Sequence, residues 1–205
     1  MNALDTPQLV AIAALGWASG LRLYAVLFLV GLAGTLGWVG LPAGLQLLQH
    51  PLMLGASGLM LAVEFFADKI PGVDTLWDVI HTLLRIPAGA ALAAAAFGAD
   101  SATVTTAAAL LGGTLAATSH FAKATTRAAA NTSPEPFSNI GLSLAGDAAV
   151  PAALWLAWAH PWAFFAALAL ALVLMGVLLW KLGGFLRQVL RRLGGGAGGG
   201  APSNS

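Results

Sequence analysis

The chain alternates long apolar stretches with short polar connections. A helix needs about 20 mostly apolar residues to cross the hydrocarbon core of a membrane, and six stretches approach or exceed that length. They cover roughly residues 8–37, 51–67, 82–99, 102–122, 138–159 and 162–181. They are too long and too continuously apolar for the ~10-residue alternating strands of a β-barrel. The pattern predicts an all-α, polytopic transmembrane bundle of about six spans.

Several glycines and prolines are expected to interrupt these helices. The first stretch is too long for one straight span, so it either tilts or breaks near Gly20, with 3–18 forming a separate or interfacial helix. Gly16 and Gly20 form a GxxxG pair, which favours close helix packing inside the bundle and leaves a homo-oligomer open. Further breaks are predicted at Pro71, Pro87, Pro134, Pro136 and Pro151.

Composition agrees with a membrane protein. Of the 205 residues, 59% are hydrophobic and only 8% are charged, with a mean hydropathy of +0.84. Soluble domains carry about 25% charged residues, so a water-soluble enzyme and a disordered chain are both excluded. The net charge of +1 argues against nucleic acid as a partner, and the lack of cysteine removes disulfides and thiolate metal sites. The partner expected from composition is the lipid bilayer.

The basic residues suggest an orientation. The connections at 38–50, 99–101 and 159–161 contain no Lys or Arg, whereas the alternate connections and the C-terminal segment do. Under the positive-inside rule, this predicts a bacterial cytoplasmic (inner) membrane protein with both termini in the cytoplasm. The predicted domains are a transmembrane unit at 1–182, a basic amphipathic cytoplasmic helix at 183–193 and a disordered Gly-rich tail at 194–205.

Charge is scarce, so its placement within the apolar stretches is informative. It gathers in two polar hairpins on the predicted cytoplasmic side, with one further residue inside the first span and one inside the fifth. Ionisable residues inside membranes commonly mark substrate or ion pathways. The candidate pathway residues are Arg22, Glu64, Asp68, Asp74, Asp78, His81, Arg85, His120, Lys123, Arg127 and Asp147. Spacings of four, seven and eleven place those from Asp74 to Arg85 on one helical face.

The same residues also admit a structural interpretation. Asp74 and Asp78 could pair with Lys123 and Arg127 across the bundle. Arg22 and Asp147 could form a buried ion pair. Lys69 and the arginines of the C-terminal segment are explained by orientation and contact with lipid headgroups.

Three classes of function fit the pattern. The first is a transporter or permease for a small solute or ion, with the charged residues as its intramembrane site. The second is a metal-dependent membrane enzyme acting on a phosphorylated lipid, with Asp74, Asp78 and His81 as candidate ligands of a divalent metal. The third is a non-catalytic scaffold. No catalytic triad and no nucleotide-binding loop is present, so the sequence favours a transporter over an enzyme and predicts no catalytic residue or cofactor.

Four segments resemble one bacterial membrane-protein family, known as a domain of unknown function (DUF4126 type). They are residues 19–24, 63–74, 77–82 and 85–90, and the likeness extends over most of 8–182. The run from Glu64 through Asp68 and Lys69 to Pro71 is its most specific element. Arg22 stands where this family pattern has Asn. The resemblance implies a membrane protein and brings no activity with it.

Overall fold

The structure, a computed structural model, is a bundle with six α-helices and one 3-10 helix in the part of the chain that it describes. The description covers residues 6–70, 72–97, 101–132 and 137–195, without the side chains of 185–187 and 189–195. The elements are α1 (Thr6–Thr35), a 3-10 helix (Ala43–Gln49), α2 (Pro51–Ala67), α3 (Val73–Phe97), α4 (Ala102–Ala130), α5 (Phe137–Ala159) and α6 (Pro161–Gly195). No strand occurs in these ranges, so the predicted all-α class is confirmed there.

Local sequence signals account for several helix ends. Pro51 occupies the first turn of α2, and the ring of His50 caps that helix by accepting a hydrogen bond from the backbone N–H of Leu52 at 3.2 Å. Gly72, with φ of +87°, makes the turn from α2 into α3. In contrast, the predicted breaks at Pro87 and Pro151 are wrong, because both prolines lie inside continuous helices. The remaining predicted breaks, at Pro71, Pro134 and Pro136, lie outside the described residues.

The helices identify a multi-pass membrane protein. Four of them, α1, α3, α5 and residues 161–184 of α6, are long and apolar enough to cross a membrane. The 3-10 helix and α2 together pass the same test as one span bent by 69°. Helix α4 is as long as these but less apolar, since it carries threonines and buried charge. The predicted count of six spans therefore does not follow from length and composition.

Helix α1 is broken in its middle. Arg22 has φ of −148° and ψ of 84°, an extended conformation that interrupts the helix. We call residues 6–21 the first arm and residues 23–35 the second arm. Their contacts with the neighbouring helices show the direction in which each arm runs.

The first arm runs parallel to α4. Gly16 lies so close to Gly112 of α4 that a Cβ on Gly16 would be 2.6 Å from the Gly112 Cα. Further along both helices, the carbonyl oxygen of Leu21 accepts a hydrogen bond from Nζ of Lys123 at 3.0 Å. Small residues in both helices allow this close backbone approach, as predicted from the GxxxG pair.

The second arm runs antiparallel to α2. At its start, the hydroxyl of Tyr24 lies 3.2 Å from Nε2 of His81, in the first half of α3. Near its end, Gly31 lies against Leu54, which is close to the start of α2. Since α2 runs from Leu54 back toward the start of α3, the second arm and α2 point in opposite directions.

The far ends of both arms meet at one end of the bundle. Ile12 of the first arm packs with Ala93, near the end of α3. Gly44, in the 3-10 helix that follows the second arm, lies against Ala95, which is also near the end of α3. Helix α1 is therefore a helical hairpin with its apex at Arg22, and it does not cross the bundle as one straight helix.

This hairpin changes the topology expected from the sequence. We call the end of the bundle where α2 and α4 terminate the charged end, and the end where α3 and α5 terminate the distal end. Thr6 lies toward the distal end, whereas α6 starts at the distal end and runs toward the charged end. This geometry differs from the single crossing predicted over 8–37, because α1 returns to the distal end. The break near Gly20 is confirmed, and the segment before it is a separate helix as one alternative predicted. The interfacial alternative is wrong, because residues 12–18 are all buried in the bundle.

Burial is reversed relative to a soluble protein. The largest fully buried side chains include those of Arg22, Arg85 and Arg127. Leucine, valine, phenylalanine and tryptophan side chains cover the outside; Leu83 is 80% exposed and Trp162 is 76% exposed. Such a surface suits lipid and not water, so it supports a membrane location for the bundle.

The C-terminal part of the chain differs from the predicted division in one respect. The backbone of α6 stays helical from Pro161 to Gly195, without an interruption at residue 182. The amphipathic character predicted for 183–193 depends on side chains that are mostly outside the description, and residues 196–205 of the predicted tail lie outside the described residues.

Candidate functional site

Five helices bring ionisable side chains together at the charged end. The apex of α1, the end of α2, the first half of α3, the last turns of α4 and the middle of α5 each contribute. Nine of these side chains are joined by ion pairs, and we call them the charge cluster. Its members are Arg22, Glu64, Asp68, Lys69, Asp78, Arg85, Lys123, Arg127 and Asp147.

Arg22 links α1 to α5 and to the end of α2. One guanidinium nitrogen lies 2.5 Å from Asp68 and another lies 2.8 Å from Asp147. The second nitrogen also donates to both the carbonyl oxygen and the hydroxyl of Ser143, at 3.1 and 3.0 Å. The break in α1 thus lies at a buried cation that is bound by groups from two other segments.

Asp68 is the centre of the cluster. It caps the end of α2 and is completely buried. Besides Arg22, it contacts Lys123 at 2.9 Å and Arg127 at 2.7 Å, both from α4. One carboxylate therefore faces three cations, an arrangement that strongly favours its charged form.

Arg85 forms the most deeply buried part of the cluster. Its guanidinium lies 2.5 Å from Glu64 and 2.7 Å from Asp78, and all three side chains are almost fully excluded from solvent. Asp78 also faces Lys123 at 3.4 Å and Arg127 at 3.7 Å. These contacts connect the Arg85 pairs to the Asp68 pairs.

Two histidines border the cluster. Arg85 donates to Nδ1 of His120 at 3.3 Å, so the other ring nitrogen of His120 donates to the hydroxyl of Thr82 at 2.7 Å. His81 donates from Nδ1 to the carbonyl oxygen of Trp77 at 2.8 Å, and its Nε2 lies 3.2 Å from the hydroxyl oxygen of Tyr24. Because an arginine can only donate, Nδ1 of His120 carries no proton and that imidazole is neutral.

The cluster reaches the surface at one edge. Lys69 and Asp147 form an ion pair of 3.1 Å, and their side chains are 20% and 21% exposed. Lys69 also donates to the hydroxyl of Ser143 at 3.2 Å and lies 3.0 Å from the centre of the Phe65 ring. These contacts bridge α2 and α5, which both pack on α1 but make few direct contacts with each other. Arg22 lies behind this bridge.

Asp74 lies beside the cluster and is held by neutral groups. Its carboxylate accepts hydrogen bonds from the backbone N–H groups of Gly72 and Thr75, at 2.8 and 2.7 Å, and from the side-chain amide of Asn131 at 3.2 Å. The neighbouring amides of Asn131 and Asn139 are also hydrogen-bonded to each other. The structure thus places Asp74 in a link between α3, α4 and α5.

The candidate metal ligands are not brought together. Asp74 faces Asn131, Asp78 faces Arg85, and His81 faces Tyr24 and Trp77. Within the described ranges, no group of three or more His, Asp or Glu side chains is arranged to hold a metal ion. The donor set around these residues consists of cations and neutral hydrogen-bond donors, which suits a carboxylate and not a metal.

Most of the pairs predicted from sequence are present. The Arg22–Asp147 ion pair is confirmed, as is the pairing of Asp78 with Lys123 and Arg127. The predicted pairing of Asp74 with the α4 cations is not found, because Asp74 binds Asn131 instead. Four residues of α3 were expected on one helical face. All four are buried, which agrees with that prediction: Asp74, Asp78, His81 and Arg85.

Sequence reasoning missed three members of the site. Lys69 had been explained by membrane orientation alone, yet it is an ion-pair partner of Asp147. Its position directly after Asp68, in the most specific run of the sequence, is a signal that could have identified it. Ser143 and Tyr24 gave no such signal, since an isolated hydroxyl in an apolar helix is common.

Fold and site together define a class of protein. A helical bundle with a lipid-facing apolar surface, a broken helix and a buried network of charges is a multi-pass membrane protein. Within that class, the chain belongs to the family described as a domain of unknown function (DUF4126), whose family model matches residues 9–181. No curated protein and no solved structure matches the chain.

Proposed function

We propose that the protein is a transporter or permease for a small solute or ion, and that the charge cluster at the break of α1 is its intramembrane site. The observation that carries this proposal is the discontinuous helix α1, with buried Arg22 at its apex. Transporters commonly place their binding sites where a helix is interrupted, because the freed backbone groups and helix ends can contact a substrate.

The size of the charge cluster also favours a function. Buried ion pairs are weak sources of stability, since apolar replacements of similar volume are often neutral or stabilising. Nine paired ionisable groups among five helices are therefore a costly way to hold a bundle together. Groups that exchange partners when a solute binds give such a network a physical purpose.

Access to the site is expected between α2 and α5. Lys69 and Asp147 are the most exposed members of the cluster, and they bridge these two helices in front of Arg22. Opening this bridge would expose Arg22 while the rest of the cluster stays paired. We therefore assign Lys69 and Asp147 to the entrance and Arg22 and Asp68 to the inner site.

We further propose a bacterial cytoplasmic membrane as the location, with the charged end facing the cytoplasm. The positive-inside rule supports this orientation. Lys181 and the arginines after it lie in the second half of α6, away from its start at the distal end. Residues 1–21 contain no Lys or Arg, which agrees with placing the start of α1 on the opposite face.

Flux into proteoliposomes tests the proposed function. The purified chain would be reconstituted and offered small cations, small anions and neutral solutes, with currents measured for ions and vesicle swelling for neutral solutes. We expect flux of at least one solute above that of protein-free liposomes. We expect its loss in folded Asp68→Asn, because Asp68 binds three cations of the site.

The matched control is Lys181→Gln, which changes an exposed cation on α6 outside the cluster. It should keep the flux of the unmodified chain. Absence of flux across the whole panel, or equal flux in folded Asp68→Asn, would contradict a transport site here and favour a scaffold.

A further inference from the structure

We infer that the inner site around Arg22 binds one small monovalent anion, such as a short carboxylate, which enters by displacing Asp147. The inference rests on the proposed function because it names the substrate class of the same site. Three features support it: the excess of cations in the cluster, the unpartnered Nε of Arg22 and the exposure of Asp147.

Among the residues that the structure describes, the charge cluster contains one more cation than carboxylate. Its cations are Arg22, Lys69, Arg85, Lys123 and Arg127. Its carboxylates are Glu64, Asp68, Asp78 and Asp147. Asp74 lies nearby but forms no ion pair, since the neutral donors of Gly72, Thr75 and Asn131 hold it, and His120 is a neutral ring. The ion-paired groups therefore contain one unmatched cation, and one added anion would give it a partner inside the membrane.

Donors are available to hold such a charge. The side chain of Arg22 is only 1% exposed. Within the described part of the chain, its Nε nonetheless has no hydrogen-bond partner. A buried guanidinium N–H without an acceptor is costly, and an anionic oxygen is the acceptor that it binds most strongly. Gly146 lies next to this atom, since a Cβ there would be 3.7 Å from it. Because Gly146 has no side chain, no side-chain atom of that residue lies against Nε.

The break in α1 adds favourable electrostatics. The second arm begins directly after Arg22, so the positive end of its helix dipole points toward the cluster. The first arm ends there with the opposite sign, but its last carbonyl, that of Leu21, is already bound by Lys123. Lys123 thus offsets part of the negative end of the first arm, and the positive end of the second arm lies directly beside Arg22.

Asp147 is the carboxylate that an incoming anion can replace. It is 21% exposed, whereas the side chain of Asp68, the other carboxylate on Arg22, is fully buried and bound by two further cations. Asp147 therefore occupies Arg22 in the way a carboxylate ligand would, and it can turn outward with Lys69. A free anion and Asp147 should compete for Arg22.

Thermal unfolding of the purified full chain tests this competition. Formate and chloride would be titrated against sodium MES at constant ionic strength, with tryptophan fluorescence reporting Tm. A ligand that binds only the folded chain raises Tm with its concentration. We expect a saturable rise with formate that does not depend on whether the cation is sodium, potassium or choline.

Four variants locate the site. Asp147→Asn removes the competing carboxylate, so formate should bind about ten times more tightly than to the unmodified chain. Arg22→Gln should abolish the rise, and Lys181→Gln should leave it unchanged. If Arg22→Gln does not fold, Gly146→Ala decides the question: its Cβ makes only ordinary contact, yet it covers Nε of Arg22 and should weaken formate binding.

The outcomes separate this inference from the proposed function. No anion-dependent rise in either the unmodified chain or Asp147→Asn would overturn the anion site. The anion site would also be overturned if formate raised Tm equally in folded Arg22→Gln. If Arg22→Gln does not fold, an equal rise in Gly146→Ala would overturn it. Flux of a cation or neutral solute without anion binding would keep the transporter and reject the anion. Anion binding without flux would keep the site and reject transport.

Discussion

Arg22 binds two carboxylates that differ in burial, and this difference sets the cost of removing each partner. The guanidinium is 1% exposed, as buried as Asp68, whereas the side chain of Asp147 is 21% exposed. Removing the guanidinium of Arg22 leaves the buried carboxylate of Asp68 with one partner fewer. Removing Asp147 leaves a guanidinium that still has Asp68 and Ser143.

The first prediction therefore concerns this pair. Arg22→Gln should lower the free energy of unfolding by about 3–5 kcal/mol, the usual effect of breaking a buried ion pair. Asp147→Asn should cost less, because solvent partly screens its charge and the amide can still bond to Arg22. The two losses should not add, and their coupling should be about 0.5–3 kcal/mol, since the groups are in direct contact at 2.8 Å.

Chemical unfolding in detergent micelles measures this cycle. The single variants, the double variant and the unmodified chain would be compared, with Lys181→Gln as a control for loss of an exposed cation. Strictly additive losses would show that Arg22 and Asp147 do not interact in solution.

At the scale of helices, the centre of the bundle depends on glycines. Helices α1, α3 and α4 approach one another so closely that side chains are excluded from the contact. A Cβ on Gly112 of α4 would lie 2.7 Å from the carbonyl oxygen of Gly89 in α3, and one on Gly16 would contact Gly112. The hairpin of α1 can enter the bundle only because these positions carry no side chain.

Gly112→Ala should consequently destabilise the protein by about 1–3 kcal/mol, the usual cost of overpacking a core. Gly176→Ala is the matched control, since Gly176 is exposed on α6 and a Cβ there meets nothing within 4 Å. The control should be neutral or slightly stabilising, because alanine has the higher helix propensity. Equal Tm values for the two variants would mean that the close approach of α1 and α4 is not maintained.

The accuracy of sequence reasoning also varied from helix to helix. Helix α2 was predicted at its observed bounds, because the apolar stretch 51–67 coincides with the helix that forms there. The stripe from Asp74 to Arg85 was predicted because helical periodicity alone places those side chains on one face. The reversal of α1 could not be predicted, since its sequence is almost uniformly apolar on both sides of Arg22. The direction of each arm is set by contacts with α2, α3 and α4, which are distant in sequence.

For the whole molecule, the hairpin of α1 places Thr6 at the end of the bundle where α6 starts. The first arm starts near the distal end, beside the 3-10 helix and the end of α3. Helix α6 starts at the distal end, directly after α5, and packs along α4 toward the charged end. If α2 to α6 each cross the membrane, the number of crossings is odd, and α1 enters and leaves from one face.

Accessibility of single cysteines tests this topology, and the chain has no native cysteine to interfere. Thr6→Cys reports the start of α1, Gly40→Cys reports the connection at the distal end, and Thr132→Cys reports the turn at the charged end. With a membrane-impermeant maleimide on intact cells, we expect Thr6→Cys and Gly40→Cys to react alike. Thr132→Cys should react only after the membrane is permeabilised. The physical reason is that the two arms of α1 lead back to one end of the bundle, so residues 6 and 40 share a face whichever way the protein is inserted. Labelling of Thr6→Cys together with Thr132→Cys would show that α1 crosses the membrane, and the hairpin with its apex at Arg22 would then be wrong.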